Sequence, residues 1–377
     1  MKIAHLSDNH LGYSQYNLVE RKKDFVKAFE QAVDRIIEED AEIVLHTGDL
    51  FESSQPDMSS LSIVIKAFKK LKENGIPVVA ILGNHDRVLR KGKLPPHKIL
   101  EELGLLTLIT GGTGVGSRVV KDLFIAGIDF MPKPYIEHLL QERVFEKLSE
   151  KASAYSSSLF MFHQALDIYL PYENAFELSF SDLPTGFSYY GGGHIHIFAK
   201  EKIGEGFFSY AGATEYRSVK EAALRNRGLN IFDISEKTLK RVKLDNLREF
   251  YQFDIREGEE AKLEYIYEEI AESSIPPVVT LRYIYEKKPF YPNEEIFKRL
   301  KDICLIVRVL QREVLEEENR CFSSETVSVE KVVGDYFSKH KKIVGNLAVE
   351  LATSSSEQTE EILVNFLKEK MSLELDF

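Results

Sequence analysis

Val78-Val79-Ala80-Ile81-Leu82-Gly83-Asn84-His85-Asp86 is the stretch on which the reading of this chain turns. Five apolar residues form a run of strand length, a glycine permits a tight turn, and three polar residues follow at once. The same order recurs along the chain. Ile3–Leu6 leads to Asp8 and His10, Ile43–Leu45 to Asp49, and Leu159–Phe162 to His163, while Leu123–Ile128 is a further apolar run. Helical stripes lie between several of these runs. One comprises Phe25, Phe29, Ala32, Val33 and Ile36; another comprises Leu61, Val64, Ile65, Phe68 and Leu71. Both follow the i, i+3, i+4 spacing of a helix that buries one face. Alternation of this kind predicts an α/β layer architecture over residues 1–245. In such sheets ligands gather outside the carboxyl ends of the strands, so residues far apart in sequence can meet at one edge.

The 377 residues are 44% hydrophobic, enough for two or three domains with real cores. The formal net charge is −11, which does not advertise a nucleic-acid binder. A cluster of metal-binding carboxylates, however, also counts as negative charge until cations neutralise it. Two cysteines, Cys304 and Cys321, provide neither a disulfide framework nor zinc-finger spacing, as expected of a reducing cytosol. No run of 18 apolar residues predicts a membrane span, and Met1–Asp8 lacks the long apolar stretch of a signal peptide. A cytoplasmic or nucleoid-associated location is expected.

Around Arg248 the pattern changes. Phe250–Ile255, Val278–Ile284 and Cys304–Leu310 read as strands, with helices over Glu259–Ala271 and near Glu294–Lys301. This predicts a small α+β domain over 246–322. Beyond it, Val329, Val332, Val333, Tyr336 and Phe337 share a helical face, as do Ile343, Leu347 and Leu351. Ser354 and Glu357 have capping-box spacing before Ile362, Leu363, Phe366 and Leu367. Helices this short need a surface to pack on, either in this chain or in a partner.

Five segments carry the chemistry: Asp8-Asn9-His10, Gly48-Asp49, Gly83-Asn84-His85-Asp86, His163, and Gly193-His194-Ile195-His196. Taken singly each is ordinary. An aspartate can cap a loop, and a lone histidine after a strand is usually structural. Together they supply oxygen and nitrogen ligands enough for two ions sharing a carboxylate, a donor mixture that suits Mn²⁺, Fe²⁺ or Zn²⁺ better than Ca²⁺. His5 and His46 fall inside strands, and His97, His138 and His340 read as surface or local contacts.

Asp-x-His, Gly-Asp, Gly-Asn-His-Asp, His and Gly-His-x-His in this order resemble the signature of calcineurin-like metallophosphoesterases. Within that superfamily the chain resembles the DNA double-strand-break repair nucleases, SbcD in bacteria and Mre-eleven in archaea and eukaryotes. Asp8-Asn9-His10-Leu11-Gly12-Tyr13, Gly48-Asp49-Leu50-Phe51 and Gly83-Asn84-His85-Asp86-Arg87 are the closest cues. The resemblance implies a β-sandwich flanked by helices, a small α+β domain capping DNA, and C-terminal helices over 323–377 that dock an SbcC-type coiled-coil ABC ATPase. It implies two Mn²⁺ ions, one held by Asp8, His10, Asp49 and His196, the other by Asp49, Asn84, His163 and His194. His85 would protonate the leaving sugar oxygen, Asp86 would orient its neighbours, and Tyr13 and Arg87 would touch DNA. Leu61 and Ile99 would lie in a homodimer interface, with ordinary core burial as the alternative. The implied activity is 3′–5′ exonucleolytic cleavage of duplex DNA and endonucleolytic cleavage of single strands. Two departures stand out. Glu52 occupies a position where many members have histidine, which bears on the exonuclease and endonuclease balance, and Ala213 stands where serine is common. A protein phosphatase, a cyclic-nucleotide phosphodiesterase and a non-catalytic scaffold for the ATPase are the competing readings. Against the first, Leu50-Phe51-Glu52-Ser53 replaces the Gly-Asp-x-Val-Asp-Arg-Gly continuation usual in protein phosphatases.

Overall fold

The computed structural model describes residues 1–313 except 89–92, 171–174, 260, 286–288, 290 and 292–293. The predicted helices of 323–377 and Cys321 therefore lie outside the described residues.

The apolar runs become the strands of two six-stranded sheets. The first contains β1 (Lys2–Leu6), β2 (Ile43–His46), β3 (Val78–Ala80) and β4 (Thr107–Leu108), all parallel. The second contains β5 (Val115–Val120), β6 (Leu123–Ile128), β7 (Ser158–Phe162), β8 (Tyr189–Gly192), β9 (Ala199–Ile203) and β10 (Gly206–Tyr210), in the order β5-β6-β7-β8-β10-β9. Its four inner strands are parallel and the two edges antiparallel. The chain then returns to the first sheet. β11 (Gly228–Asp233) pairs antiparallel with β1, and β12 (Thr238–Lys243) closes that edge, giving β12-β11-β1-β2-β3-β4.

Strands buried on both faces explain the unbroken apolar runs. Ile3, Ile43, Leu45, Val79 and Ile81 of the first sheet meet Ile125, Leu159, Met161 and Tyr189 of the second in one core. The outer face of the first sheet is covered by α1 (Val19–Glu38) and α2 (Met58–Glu73), through the stripes read from the sequence. α4 (Lys133–Gln141) and α5 (Val144–Ala152) cover the second sheet with Ile136, Phe145 and Leu148, after the short α3 (Pro96–Glu102). The result is the expected helix-flanked β-sandwich.

After the short α6 (Val219–Ala223) and β12, the chain forms a three-stranded parallel sheet of β13 (Phe250–Arg256), β14 (Val278–Tyr285) and β15 (Ile306–Glu313). α7 (Lys262–Ala271) and α8 (Glu294–Ile303) pack on it around Ile255, Leu263, Ile266, Leu281 and Leu300. This α+β unit joins the sandwich through a buried ionic knot. Arg248 grips both oxygens of Asp24 on α1, at 2.7 and 3.0 Å, and Arg21 reaches the same carboxylate at 2.6 Å.

Leu61 is 9% exposed and belongs to the core beneath α2, whereas Ile99 on α3 is 47% exposed. His138 is exposed, as expected, but His97 is not a surface residue. It lies on the inner side of α3, fully buried, with its ring edge-on to Phe51. The described helices include none long and apolar enough to cross a membrane.

Candidate metal centre

β1, β2, β3, β7 and β8 all end at one rim, and the five polar segments follow them there. The first three strands belong to one sheet and the last two to the other, so the rim spans the seam of the sandwich. Asp8, His10, Asp49 and His163 are buried, while Asn84, His194 and His196 are partly exposed.

The side chains fall into two linked groups. In the first, His10 Nε2 lies 3.1 Å from His196 Nε2, and His196 Nε2 lies 3.8 Å from Asp8 Oδ1. In the second, His163 Nε2 lies 3.3 Å from Asp49 Oδ2 and 3.2 Å from Asn84 Oδ1. Asn84 Oδ1 is also 3.0 Å from His194 Nδ1. Asp49 joins the groups, since its Oδ2 is 3.8 Å from His10 Nε2 as well. Asp8, His10 and His196, and separately Asp8, Asp49 and His163, each present ligand atoms within 4.8 Å of one another.

The donor set fits divalent cations. Asp8 Oδ2 is buried without a hydrogen-bond partner among the described residues, an arrangement that costs free energy unless something positive meets it. Two imidazole nitrogens 3.1 Å apart need a proton or a cation between them. Burial opposes charging of His163, yet Asp49 and then Asp8 outweigh it and raise the pKa of the metal-free ring to about 9. Burial likewise opposes ionisation of Asp49, but His163 and His10 hold its carboxyl far below the usual range. Without metal, then, His163 and Asp49 form a buried ion pair. Burial and the charge of His163 lower His194 to about 4. Burial also lowers His10, against an opposing pull from Glu52.

The backbone is bent to make this possible. Asp8, His10, Asp49 and His194 have φ values of 52°, 47°, 53° and 81°, a left-handed region that side chains rarely adopt. Glycine is required where loops touch. A Cβ on Gly83 would collide with Asp49 Oδ1, and one on Gly193 with the Thr47 carbonyl and His163 Nδ1. That carbonyl accepts from His163 Nδ1 at 2.6 Å and so fixes the tautomer with Nε2 toward Asp49.

His85 and Asp86 differ from the rest. His85 Nδ1 donates to the Glu52 carbonyl at 2.9 Å, and its backbone N–H donates to Asp49 Oδ1 at 2.9 Å. The ring sits edge-on to His10, 30% exposed, with Nε2 making no hydrogen bond among the described residues. Asp86 is fully buried and accepts from the N–H groups of Leu50, Phe51 and Gly83, tying the second and third segments together. Tyr13 packs between Phe25 and the guanidinium of Arg217, and Arg87 lies over Phe130. Sequence reading missed Arg217 and Glu221. Arg217 Nη1 lies 3.3 Å from His10, and Glu221 Oε1 lies 3.4 Å from His196 Nδ1. Both follow the Tyr210–Ala213 segment without any motif spacing that could have marked them.

The family model for calcineurin-like phosphoesterase matches residues 1–198, the class that this sandwich and rim define. Three curated relatives, each described as DNA double-strand break repair protein Mre11, narrow the class. The relative from Methanocaldococcus jannaschii is 30% identical over 98% of this chain and 99% of its own length. That from Methanococcus maripaludis is 37% identical over 59% of each chain, and that from Saccharolobus solfataricus 39% identical over 52% of this chain and 49% of its own. The chain therefore belongs to the Mre11 family of calcineurin-like phosphoesterases.

Proposed function

We propose that this protein is a Mn²⁺-dependent DNA nuclease of double-strand break repair, degrading duplex ends from the 3′ side and nicking single strands. The observation that carries the reading is the convergence of seven metal-type ligands from both sheets, with His85 beside them and its Nε2 unengaged. Asp8, His10, Asp49 and His196 would hold one ion. Asp49, Asn84, His163 and His194 would hold the other. When bound, such a pair acidifies a water and neutralises charge on a phosphodiester.

The remaining work falls to the protein. The Glu52 carbonyl anchors His85 Nδ1–H, so Nε2 is the nitrogen available to carry a proton toward a leaving sugar oxygen. Asp86 holds the loop of His85 against the loop of Asp49, which keeps the imidazole at a fixed distance from the ligands. Arg217 and Arg87 place positive charge beside the rim, where an anionic backbone would enter. In this reading residues 1–245 form the nuclease domain. Residues 246–322, whose described part is the three-stranded unit, cap the DNA, and residues 323–377 dock an SbcC-type ATPase. Dimerisation through the surface carrying Ile99 completes the proposal.

The deciding experiment is a Mn²⁺ cleavage assay on linear and hairpin DNA beside a phosphomonoester. Cleavage of DNA with the monoester untouched is expected. Hydrolysis of the monoester with intact DNA would replace this reading with a phosphatase.

A further inference from the structure

His10 can serve an ion only if Nε2 faces it, and the ring's orientation depends on what meets Nδ1. That atom lies 2.9 Å from Glu52 Oε2, a buried oxygen without a hydrogen-bond partner among the described residues, and 3.3 Å from Arg217 Nη1. The other carboxylate oxygen, Oε1, accepts from Arg217 Nη2 at 3.2 Å. Arg217 is itself pinned, with its guanidinium 4.3 Å from the Tyr13 ring centroid and its backbone N–H donating to Glu221 at 3.0 Å. One loop thus addresses both edges of a single imidazole. Asp49 Oδ2 stands 3.8 Å from Nε2, and Glu52, three residues on, stands against Nδ1.

We propose that Glu52 is a positioning residue, which holds the His10 ring with Nε2 turned toward the metal and anchors Arg217 at the mouth of the site. The inference rests on the metal-centre reading above. A carboxylate that accepts Nδ1–H selects the tautomer with a bare Nε2 and makes that nitrogen a better ligand. A histidine at position 52 could supply neither the charge nor the second oxygen. The pairing with Arg217 also cancels the negative charge that Glu52 would otherwise present to an anionic ester. Glu52 is therefore compatible with phosphodiester chemistry here because Arg217 accompanies it.

The test is calorimetric titration of the full chain with Mn²⁺, which needs no nucleic-acid substrate. Glu52→Ala is expected to weaken binding of the ion nearest His10 by about 10- to 100-fold, the usual consequence of losing a ligand's outer partner. Glu52→Gln, whose amide oxygen can still accept from Nδ1–H, should recover most of that loss. Should the alanine variant fail to fold, Glu52→Asp keeps the charge but shortens the reach and should bind as weakly as predicted for alanine. Wild-type affinity in the alanine or aspartate variant would overturn the proposal, as would a glutamine variant no better than these. Asp8→Ala serves as the control. If it binds Mn²⁺ like wild type, the metal centre itself is wrong and the inference falls with it. If only Asp8→Ala loses affinity, the metal centre stands and Glu52 has no part in holding it.

Discussion

At the rim of the sandwich, left-handed backbone occurs at four candidate ligands, Asp8, His10, Asp49 and His194, the first three of them buried polar side chains. In the three-stranded unit the opposite holds. Its buried positions are nearly all apolar, and between 247 and 313 Gly258 alone among the described residues has a positive φ. Each strained residue at the rim costs about 1–3 kcal/mol, and the surrounding core must offset that. The unit of β13, β14 and β15 carries no such cost, and ordinary hydrophobic burial holds it together. The difference shows that the sandwich core supports a rim whose backbone and buried polar groups are unfavourable for folding.

Substitutions should separate the two regions cleanly. Asp49→Ala removes the group shared by both ligand clusters, and Mn²⁺ affinity should fall by more than the roughly 100-fold upper range for an outer partner. Calorimetry would show it, while the far-ultraviolet dichroism of the chain stays native. Next in size is His85→Ala, which should keep Mn²⁺ affinity and lower kcat about 100- to 10,000-fold, the span of a lost proton donor. Equal cleavage by mutant and wild type would remove His85 from the chemistry. Leu281→Ala, fully buried beneath α7 and α8, should cost about 2–5 kcal/mol in urea unfolding and leave Mn²⁺ binding of the folded protein unchanged. A change in metal affinity there would mean that the regions are not independent.

The smallest effect is one of pH. His5 is buried between Tyr189 Oη at 2.7 Å and Thr47 Oγ1 at 2.9 Å, and burial, then Arg241, lowers its pKa from 6.5 to about 3. As pH falls below 6.5 the unfolded chain takes up a proton that the native ring refuses, so stability drops through the window from 6.5 toward 3. Between pH 6.5 and about 5.5 the wild type should lose about 1 kcal/mol relative to His5→Gln, read as the difference in urea midpoints.

Much of the first sheet was legible because its strands are unbroken apolar runs and its helices bury one clean stripe each. Four of the five candidate segments were legible because each directly follows such a run; the fifth, Gly193–His196, follows Tyr189–Gly192, which is no apolar run, and stood out only by its His-x-His spacing. The second sheet was harder to read. Its edge strands β5 and β9 are half exposed, and Ala199–Ile203 is mostly charged, so neither shows the apolar run of a central strand. The return of β11 to β1 is a matter of long-range pairing that no local pattern encodes. His97, read as a surface or local contact, is turned inward by α3 against Phe51, 46 positions earlier, a pairing no local pattern marks. Glu52 was visible only as a departure from the family pattern. Its meaning came from Arg217, 165 positions away.

That late return of the chain bears on how the protein is born. β1 is made before both its partners but sits between β2 and β11, so one of its backbone edges stays open until residues 228–233 have been made. A nascent chain halted before that point would carry all seven candidate ligands beside an unpaired edge, a ready template for another chain. Translation past residue 233 supplies the partner of β1, and past residue 243 the strand that covers β11 in turn.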